Sequence, residues 1–190
     1  MILEKNSKKC YICLILDKHI YFFNNFLEDE MNIYLVRHGD AVDASENPQR
    51  PLSPLGEQQI ELIAQQLKIA DVQVDTIFHS GILRAKQTAE ILAQRLPHKN
   101  IVAWAMLAPD QSFSLVFDEL VKIKTSVMLV GHQPMLGMLA SYMMTKRSNS
   151  PIVNIDKGDA LCFSPSKFKN ELWMLDWMLK PSLLAYPSGG

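Results

Sequence analysis

IYLVRHG, at residues 33–39, is the segment from which the rest of the chain can be interpreted. Its first four residues are apolar without interruption, which is typical of a β-strand buried on both faces of a parallel sheet. The segment then ends in a cation, an imidazole and a glycine. Because ligands of open α/β sheets bind beyond the carboxyl ends of the strands, we expect Arg37, His38 and Gly39 to border a ligand site.

Two further apolar runs end in a similar way. Residues 74–78 lead into Ser80, and Arg84 follows within the first turn of a predicted helix. Residues 127–130 lead through one glycine into His132. If these three strands are neighbours in the sheet, two arginines and two histidines meet at one edge. The three strand ends together are a much stronger signal than any one of them alone.

The segments between the strands have helical periodicity. Ser53-Pro54 supplies an N-cap and a proline suited to the first helical position. Apolar stripes at helical spacing follow at residues 60–67, 85–96, 113–123 and 136–143, and later strands are predicted at residues 101–105, 160–163 and 172–177. This alternation predicts an α/β fold, a three-layer sandwich with a mainly parallel central sheet and helices on both faces.

Composition excludes several classes of protein. Of 190 residues, 48% are apolar and 21% are charged, as in soluble globular domains and unlike disordered or fibrous chains. Lys and Arg number 19 against 20 Asp and Glu, so the charge is balanced and binding to nucleic acid is not expected. No segment approaches the roughly 20 apolar residues of a membrane span, and no membrane association is expected. Three cysteines indicate a reducing compartment, and we expect the cytoplasm.

Residues 1–30 differ from the rest of the chain. A basic cluster, two short apolar patches and an acidic end follow one another without a signal-peptide cleavage site. Cys10 and Cys13 form a single C-x-x-C without the second pair that zinc sites use, so no metal site is expected. We expect residues 1–30 to be an extension, which upstream sequence read from an early start codon would explain. A single domain is expected over residues 31–190, with Met31 directly before the first strand.

The residues at the strand ends suit phosphoryl transfer. Arg presents a planar, permanently charged fork that matches phosphate oxygens, and the helix that begins near Ser80 directs free N–H groups to the same edge. A neutral His can attack phosphorus and carry the group covalently, while a second His donates hydrogen bonds to the oxygens. Gly39 and Gly131 would let the backbone approach the ligand closely.

Three segments in this order resemble the motifs of a known family. LVRHGDA at 35–41, HSGILRAKQTAE at 79–90 and VGHQP at 130–134 resemble the signature of the histidine phosphatase superfamily, also called phosphoglycerate-mutase-like. RPLSPLGEQQ at 50–59 and GDALCF at 158–163, together with the short length, resemble the SixA-type phosphohistidine phosphatases. The resemblance covers about residues 31–180.

The resemblance implies a fold and a mechanism. The fold is the phosphoglycerate-mutase-like sandwich without a large cap insertion. His38 is implied as the nucleophile that becomes phosphorylated, Arg37 and Arg84 as the residues that hold the phosphoryl oxygens, and His132 as the residue that completes the pocket. No metal or other cofactor is implied. We also predict substrate-binding contributions from four residues: Gly39, Arg50, Ser80 and Gln87.

A proton-donating carboxylate is missing from the motifs. Larger members of the superfamily place such an acid after the second motif or beside the third, but here His132 is followed by Gln133. The candidates between these motifs are Asp110, Asp118 and Glu119, with Asp110 the best placed in a loop; Glu57 and Glu61 fall on a predicted helix and are expected to be solvated. The gap is consistent with the SixA type, which lacks the usual acid.

Three functions remain open from the sequence. The leading hypothesis is a protein-phosphohistidine phosphatase whose partner is a histidine phosphotransfer domain or a phosphocarrier protein. The first alternative is a small-molecule phosphomonoesterase on the same fold, which requires a usable acid and a walled cavity. The second is a non-catalytic phosphate-binding module, which would tolerate loss of the nucleophile, although all four pocket residues are present.

Overall fold

The computed structural model describes residues 31–147, 151–167 and 172–184, together with the backbone of residues 11–16 and 19–24. The chain divides into two compact units, Met1–Glu30 and Met31–Gly190. In the first unit, β1 (Tyr11–Leu16) and β2 (His19–Asn24) form an antiparallel pair. The side chains of Cys10 and Cys13 lie outside the described residues.

A six-stranded sheet forms the centre of the second unit. Its strands, in chain order, are β3 (Ile33–Arg37), β4 (Thr76–His79), β5 (Asn100–Ala103), β6 (Val127–Gly131), β7 (Ala160–Pro165) and β8 (Trp173–Leu179). In space the order is β5-β4-β6-β3-β7-β8, with the first four strands parallel. β7 is antiparallel to β3, and β8 is antiparallel to β7. The mainly parallel sheet predicted from the sequence is confirmed.

Four helices cover the two faces of this sheet. They are α1 (Pro54–Ile69), α2 (Leu83–Arg95), α3 (Phe113–Leu120) and α4 (Met135–Thr145). Leu35 packs with apolar side chains of α3 and α4, whereas Val36 packs with those of α1 and α2, because successive strand residues point to opposite faces. The three-layer sandwich is therefore confirmed. Among the helices that the structure describes, none has the length and apolar composition needed to cross a membrane.

Helix α1 begins as the sequence predicts. The Ser53 hydroxyl accepts a hydrogen bond from the Gly56 amide at 3.1 Å, and Pro54 takes the first helical position. The predicted stripe is buried, with Ile60 and Ile63 fully inaccessible to solvent. Helix α2, by contrast, begins three residues later than the predicted start near Ser80, because Gly81 adopts a φ of +86° between strand and helix.

Several element boundaries differ from the sequence prediction. β4 begins at Thr76 rather than Val74, because the Val74 amide bonds to the Pro97 carbonyl outside the strand ladder. α3 ends at Leu120 rather than at residue 123, because the chain there tightens into bonds that reach back three residues. β5 ends at Ala103, before one turn of 3-10 helix at Ala105–Leu107.

Candidate active site

The carboxyl ends of β3, β4 and β6 bring the predicted residues together. β6 lies between the other two strands, and Arg37 pairs in register with Gly131. The His38 amide then donates to the Gly131 carbonyl at 3.1 Å, so that the chain leaves β3 alongside His132. The two imidazole rings lie 4.8 Å apart between centroids. The expected convergence of these strand ends is therefore observed.

The His38 side chain is held in one tautomer. Its Nδ1 lies 2.6 Å from the Gly39 carbonyl oxygen, which can only accept, so Nδ1 carries the hydrogen. Nε2 is left with its lone pair and accepts a hydrogen bond from Arg84 Nε at 3.1 Å. Burial, aided by the charges of Arg84 and Arg37, lowers the pKa of His38 to about 4, although the bond to Gly39 opposes this. A neutral ring with its lone pair on Nε2 suits nucleophilic attack once the substrate displaces the Arg84 N–H from that nitrogen.

The Arg37 guanidinium keeps an unused donor at the site. Its Nη1 donates to the Ile155 carbonyl at 2.8 Å, while its Nε is buried and has no hydrogen-bond partner among the described residues. Burial lowers the pKa of Arg37 and of Arg84, yet a guanidinium stays charged in proteins. The charge of Arg50 also lowers the pKa of Arg84. Partly buried cations with a donor to spare suit an anionic phosphoryl group.

His132 completes the cluster and is almost inaccessible, with 2% of its surface exposed. Its Nε2 lies 2.7 Å from the Ser80 hydroxyl, whereas its Nδ1 is buried and has no hydrogen-bond partner in the described part of the chain. Burial, and then the proximity of His38 and the arginines, lowers the pKa of His132 to about 3. Both imidazoles are therefore neutral near pH 7.

A loop that the sequence analysis quoted only for its family resemblance supports the nucleophile. The Gly158 amide approaches the carbonyl oxygens of Arg37 and His38 at 3.2 and 3.1 Å, and the Arg37 amide donates to the Asp159 carbonyl. Gly158 has a φ of +83°, and a Cβ atom there would lie 2.9 Å from Pro181. Packing requires a glycine at position 158, the first residue of the segment GDALCF. This glycine is the sequence signal that could have identified the loop.

Lys157 and Asp40 form an ion pair next to the nucleophile. Lys157 Nζ lies 2.6 Å from Asp40 Oδ1, and the Ser53 hydroxyl donates to Asp40 Oδ2 at 2.7 Å. These two hydrogen bonds lower the pKa of Asp40, so this carboxylate is ionised near pH 7. The charge of Lys157 also contributes to the lowered pKa of His38.

A cavity of about 430 Å³ adjoins the site at Arg37. Its lining is mostly polar and consists of Arg37, Gln59, Asp156, Lys157, Asp159, Pro181 and Ser182. Asp159 is buried, and its carboxylate accepts hydrogen bonds from Lys180 Nζ at 2.7 Å and from the Asp156 amide. Burial raises the pKa of Asp159 despite these bonds.

The four residues predicted to bind substrate have distinct surroundings. A Cβ atom on Gly39 would lie 2.6 Å from the Gly56 carbonyl, so the close approach that requires this glycine is to α1. The Gln87 amide oxygen accepts from the Leu52 amide at 2.8 Å and ties a loop to α2. Ser80 contacts His132. Arg50 has a φ of +49°, and substrate binding by its side chain stays a prediction.

The candidate acids lie elsewhere. Asp110, Asp118 and Glu57 are exposed, and Glu119 bonds to Lys122. The expectation of a solvated glutamate on α1 is confirmed for Glu57, whereas Glu61 is half-buried and paired with Arg95. Among the residues that the structure describes, no carboxylate forms a hydrogen bond with His38 or His132. Within the same residues, no group of three or more His, Cys, Asp or Glu side chains is arranged to hold a metal ion.

Comparison with known proteins gives consistent matches. The sequence profile of the histidine phosphatase superfamily (branch 1) matches residues 33–108. An uncharacterised protein of a Picosynechococcus strain is 38% identical over 116 residues, which cover 56% of this chain and 69% of that protein. The phosphohistidine phosphatase SixA of Escherichia coli is 31% identical over 120 residues, which cover 58% of this chain and 73% of SixA.

The solved structures agree with the sequence matches. A structure of the protein histidine phosphatase SixA complexed with tungstate has a TM-score of 0.71 and 25% identity, covering 80% of this chain and 98% of that one. The convergence of His38, Arg37, Arg84 and His132 at the carboxyl ends of the strands is what the motif resemblance implies. The chain therefore belongs to branch 1 of the histidine phosphatase superfamily and is of the SixA type.

Proposed function

We propose that this protein is a metal-independent phosphohistidine phosphatase that acts on a phosphorylated histidine of a partner protein. The observation that carries the proposal is the absence, among the described residues, of a carboxylate bonded to His38 or His132, while Asp40 is held ionised by Lys157. A substrate whose leaving group needs no acid is the one that such a site serves best.

The reaction proceeds in two displacements. The lone pair on His38 Nε2 attacks phosphorus, a P–N bond forms on His38, and the P–N bond of the substrate breaks. Arg37 and Arg84 stabilise the charge on the three transferred oxygens through their guanidinium N–H groups. Water then attacks the phosphoryl group on His38, which releases inorganic phosphate and restores the neutral ring.

The leaving group explains why a carboxylic acid is dispensable. An alkyl phosphate ester releases an alkoxide-like oxygen, which needs a proton from a positioned acid near neutral pH. In phosphohistidine the ring nitrogen that is not bonded to phosphorus is basic enough to carry a proton before the P–N bond breaks, so the imidazole leaves as a neutral ring. Catalysis then reduces to positioning and charge stabilisation.

The proposed partner is a histidine phosphotransfer domain or a phosphocarrier protein. Support comes from the name of the Escherichia coli relative, which is a phosphohistidine phosphatase. We propose no part for nucleic acid or membrane, given the balanced charge of the chain. The cytoplasm remains the proposed compartment, because three cysteines do not form a disulfide framework.

A series of leaving groups tests this proposal. kcat/KM is measured at equal enzyme concentration on a phosphohistidine protein, a phosphohistidine peptide, aryl phosphates of rising phenol pKa, and glycerate and sugar phosphates. We expect high values for phosphohistidine and reactive aryl phosphates, and a steep fall as the leaving-group pKa rises. Chelators should leave activity unchanged.

Three results would contradict the proposal. Alkyl esters cleaved as fast as aryl esters would indicate a general acid, with Asp110 the first residue to replace, and would favour a small-molecule phosphatase. Inhibition by chelators that added metal reverses would contradict metal independence. Tight phosphate binding without turnover of any substrate would favour the non-catalytic module.

A further inference from the structure

The hydroxyl of Ser80 contacts the ring of His132 in a buried position. Ser80 is 6% exposed and His132 is 2% exposed, and Ser80 Oγ lies 2.7 Å from His132 Nε2. The same hydroxyl oxygen accepts a hydrogen bond from the Ile82 amide at 3.3 Å. Ser80 therefore lies behind the ring of His132, where it can control which ring nitrogen carries the hydrogen.

Hydrogen-bond counting selects one of the two neutral tautomers. If Nε2 carried the hydrogen, Ser80 Oγ would accept from both His132 and Ile82, and its own buried O–H would lack an acceptor among the described residues. If Nδ1 carries the hydrogen, Ser80 accepts from Ile82 and donates to Nε2, and the only donor of the pair left without a partner among the described residues is Nδ1–H. The first arrangement leaves both the Ser80 O–H and the Nδ1 lone pair unpaired, so the second is favoured because fewer buried polar groups lack a partner.

We propose that Ser80 is a positioning residue that holds His132 in the tautomer with its hydrogen on Nδ1, so that this N–H donates to the transferring phosphoryl group. The inference deepens the proposed function and rests on it for the identity of the ligand. Nδ1 of His132 is buried and has no partner within residues 31–147, 151–167 and 172–184, and the ring lies 4.8 Å from that of His38 between centroids. An oxygen of the phosphoryl group supplies the acceptor that Nδ1–H lacks.

The opposite tautomer would work against catalysis. A bare Nδ1 would direct a lone pair at an anionic oxygen, and their repulsion would replace a hydrogen bond. Because the ring is neutral near pH 7, it has one N–H only, and the serine determines where that hydrogen is. Partners that orient ligand histidines in metal sites act in the same way, and their loss costs about 10–100-fold in activity or affinity.

Nitrogen-15 NMR of the resting protein tests the tautomer directly. Long-range proton–nitrogen correlations distinguish a protonated ring nitrogen from a bare one, and the His132 signals are identified by their loss in a His132→Asn variant. We expect Nδ1 to be protonated and Nε2 bare in the wild-type protein. A protonated Nε2, or a mixture of tautomers, in the wild-type protein would overturn the proposal.

Kinetics then test the consequence for catalysis. We expect Ser80→Ala to lower kcat by about 10–100-fold with little change in KM, and Ser80→Thr, which keeps a hydroxyl, to recover most of the loss. Ser112→Ala is the matched control, since the exposed Ser112 hydroxyl bonds only to Ser114 among the described residues. Wild-type kcat in a Ser80→Ala protein that has lost the Nδ1 tautomer would refute the role.

The measurements separate this inference from the proposed function. A reactive aryl phosphate serves as substrate for the kinetic comparison, so that the result does not depend on the partner protein. If alkyl esters prove to be good substrates, the phosphohistidine proposal fails. The tautomer of His132 and the kcat of Ser80→Ala still decide the role of Ser80.

Discussion

Single residues at this site owe their protonation states to burial and to fixed hydrogen bonds. The rings of His38 and His132 are neutral because burial, and then the charges around them, lowers the pKa of each. The Gly39 carbonyl selects the tautomer of His38, and the Ser80 hydroxyl is positioned to select that of His132. The nucleophile is thus set up before substrate arrives, which is the form of preorganisation that lowers a barrier most effectively.

Replacement of His38 by alanine should remove turnover. We expect a loss on the order of 1000-fold or more, as for other covalent nucleophiles, while circular dichroism shows an unchanged fold. Rapid acid and base quenching of the wild-type enzyme should trap an acid-labile, base-stable phosphate that is absent in His38→Ala. His98→Ala is the matched control, because His98 lies beyond α2 near the other end of the sheet. Even a tenth of wild-type activity in His38→Ala would contradict the assignment.

Arg84 should not be replaceable by lysine. Its Nε is engaged with His38 Nε2, and a guanidinium offers two further nitrogens for phosphoryl oxygens, whereas an ammonium is a point charge. We expect Arg84→Ala and Arg84→Lys each to lose about 3 kcal/mol of transition-state stabilisation, measured from kcat/KM. Arg95→Lys, on the exposed part of α2 beside Glu61, is the control and should be near wild type. Normal kinetics in Arg84→Lys would rule out a bidentate role.

At the level of secondary-structure elements, the first turn of α1 packs directly on the backbone that follows the nucleophile. A Cβ atom on Gly56 would lie 2.0 Å from the Asp40 carbonyl oxygen, and one on Gly39 would lie 2.6 Å from the Gly56 carbonyl. Gln59, also on α1, accepts from the Asp40 amide at 2.9 Å. Helix α1 thus holds the turn after His38 in place, and the close contact between them leaves no room for a side chain at Gly39 or Gly56.

Gly56→Ala should therefore destabilise the fold and disturb the site together. Overpacking against backbone costs about 1–3 kcal/mol or more, and we expect kcat/KM to fall because residues 38–40 must shift. Gly81→Ala is the matched control, since a Cβ atom there meets nothing within 4 Å and only the φ of +86° is unfavourable, at about 1 kcal/mol. Urea unfolding measures the stability of both variants. Equal stability of Gly56→Ala and wild type would contradict the close contact between Gly56 and the Asp40 carbonyl.

Across the whole molecule, the buried imidazoles couple folding to pH. Burial lowers the pKa of His38, His79 and His132, whereas unfolded imidazoles titrate near 6.5. Between about pH 6.5 and 4 the unfolded chain therefore binds more protons than the native one, and stability decreases as the pH falls. Each such group contributes up to about 1.4 kcal/mol per pH unit.

Urea unfolding at pH 7.5 and at pH 5 should reveal this dependence. We expect the free energy of unfolding to be lower at pH 5, and the difference to shrink in a His38→Asn, His132→Asn double variant that lacks two of the imidazoles. An unchanged difference in the double variant would mean that other groups cause the acid sensitivity. The pH range from 7.5 to 5 lies above the pH at which Asp40 takes up a proton, because the pKa of Asp40 is lowered.

The domain that carries the site should fold without residues 1–30. Every motif lies beyond Met31, so a protein that begins there should keep the Tm and the kcat/KM of the full chain within experimental error. The two are compared by thermal unfolding and by hydrolysis of an aryl phosphate. Insolubility or inactivity of the shorter protein would show that the apolar patches at residues 10–16 and 20–23 belong to the domain core.

Much of this protein could be read directly from its residues. Continuous apolar runs before Arg37 and His132 predicted buried strands, and helical stripes between them predicted the alternation that makes a parallel sheet. The site cluster followed from the rule that carboxyl ends of parallel strands meet at one edge. These properties are local or nearly so, because consecutive residues determine the hydrophobic periodicity and the strand ends.

Other properties depend on contacts between distant parts of the chain. Three contacts join residues that are far apart in sequence: the hydrogen bond between Ser80 and His132, the ion pair of Asp40 with Lys157, and the contact of Gly39 with α1. No pattern of consecutive residues reports them, since a serine or glycine at a strand end fits substrate contact as well as packing. Tautomers and lowered pKa values likewise arise only once packing has excluded water, because desolvation belongs to the folded site and not to any residue in it.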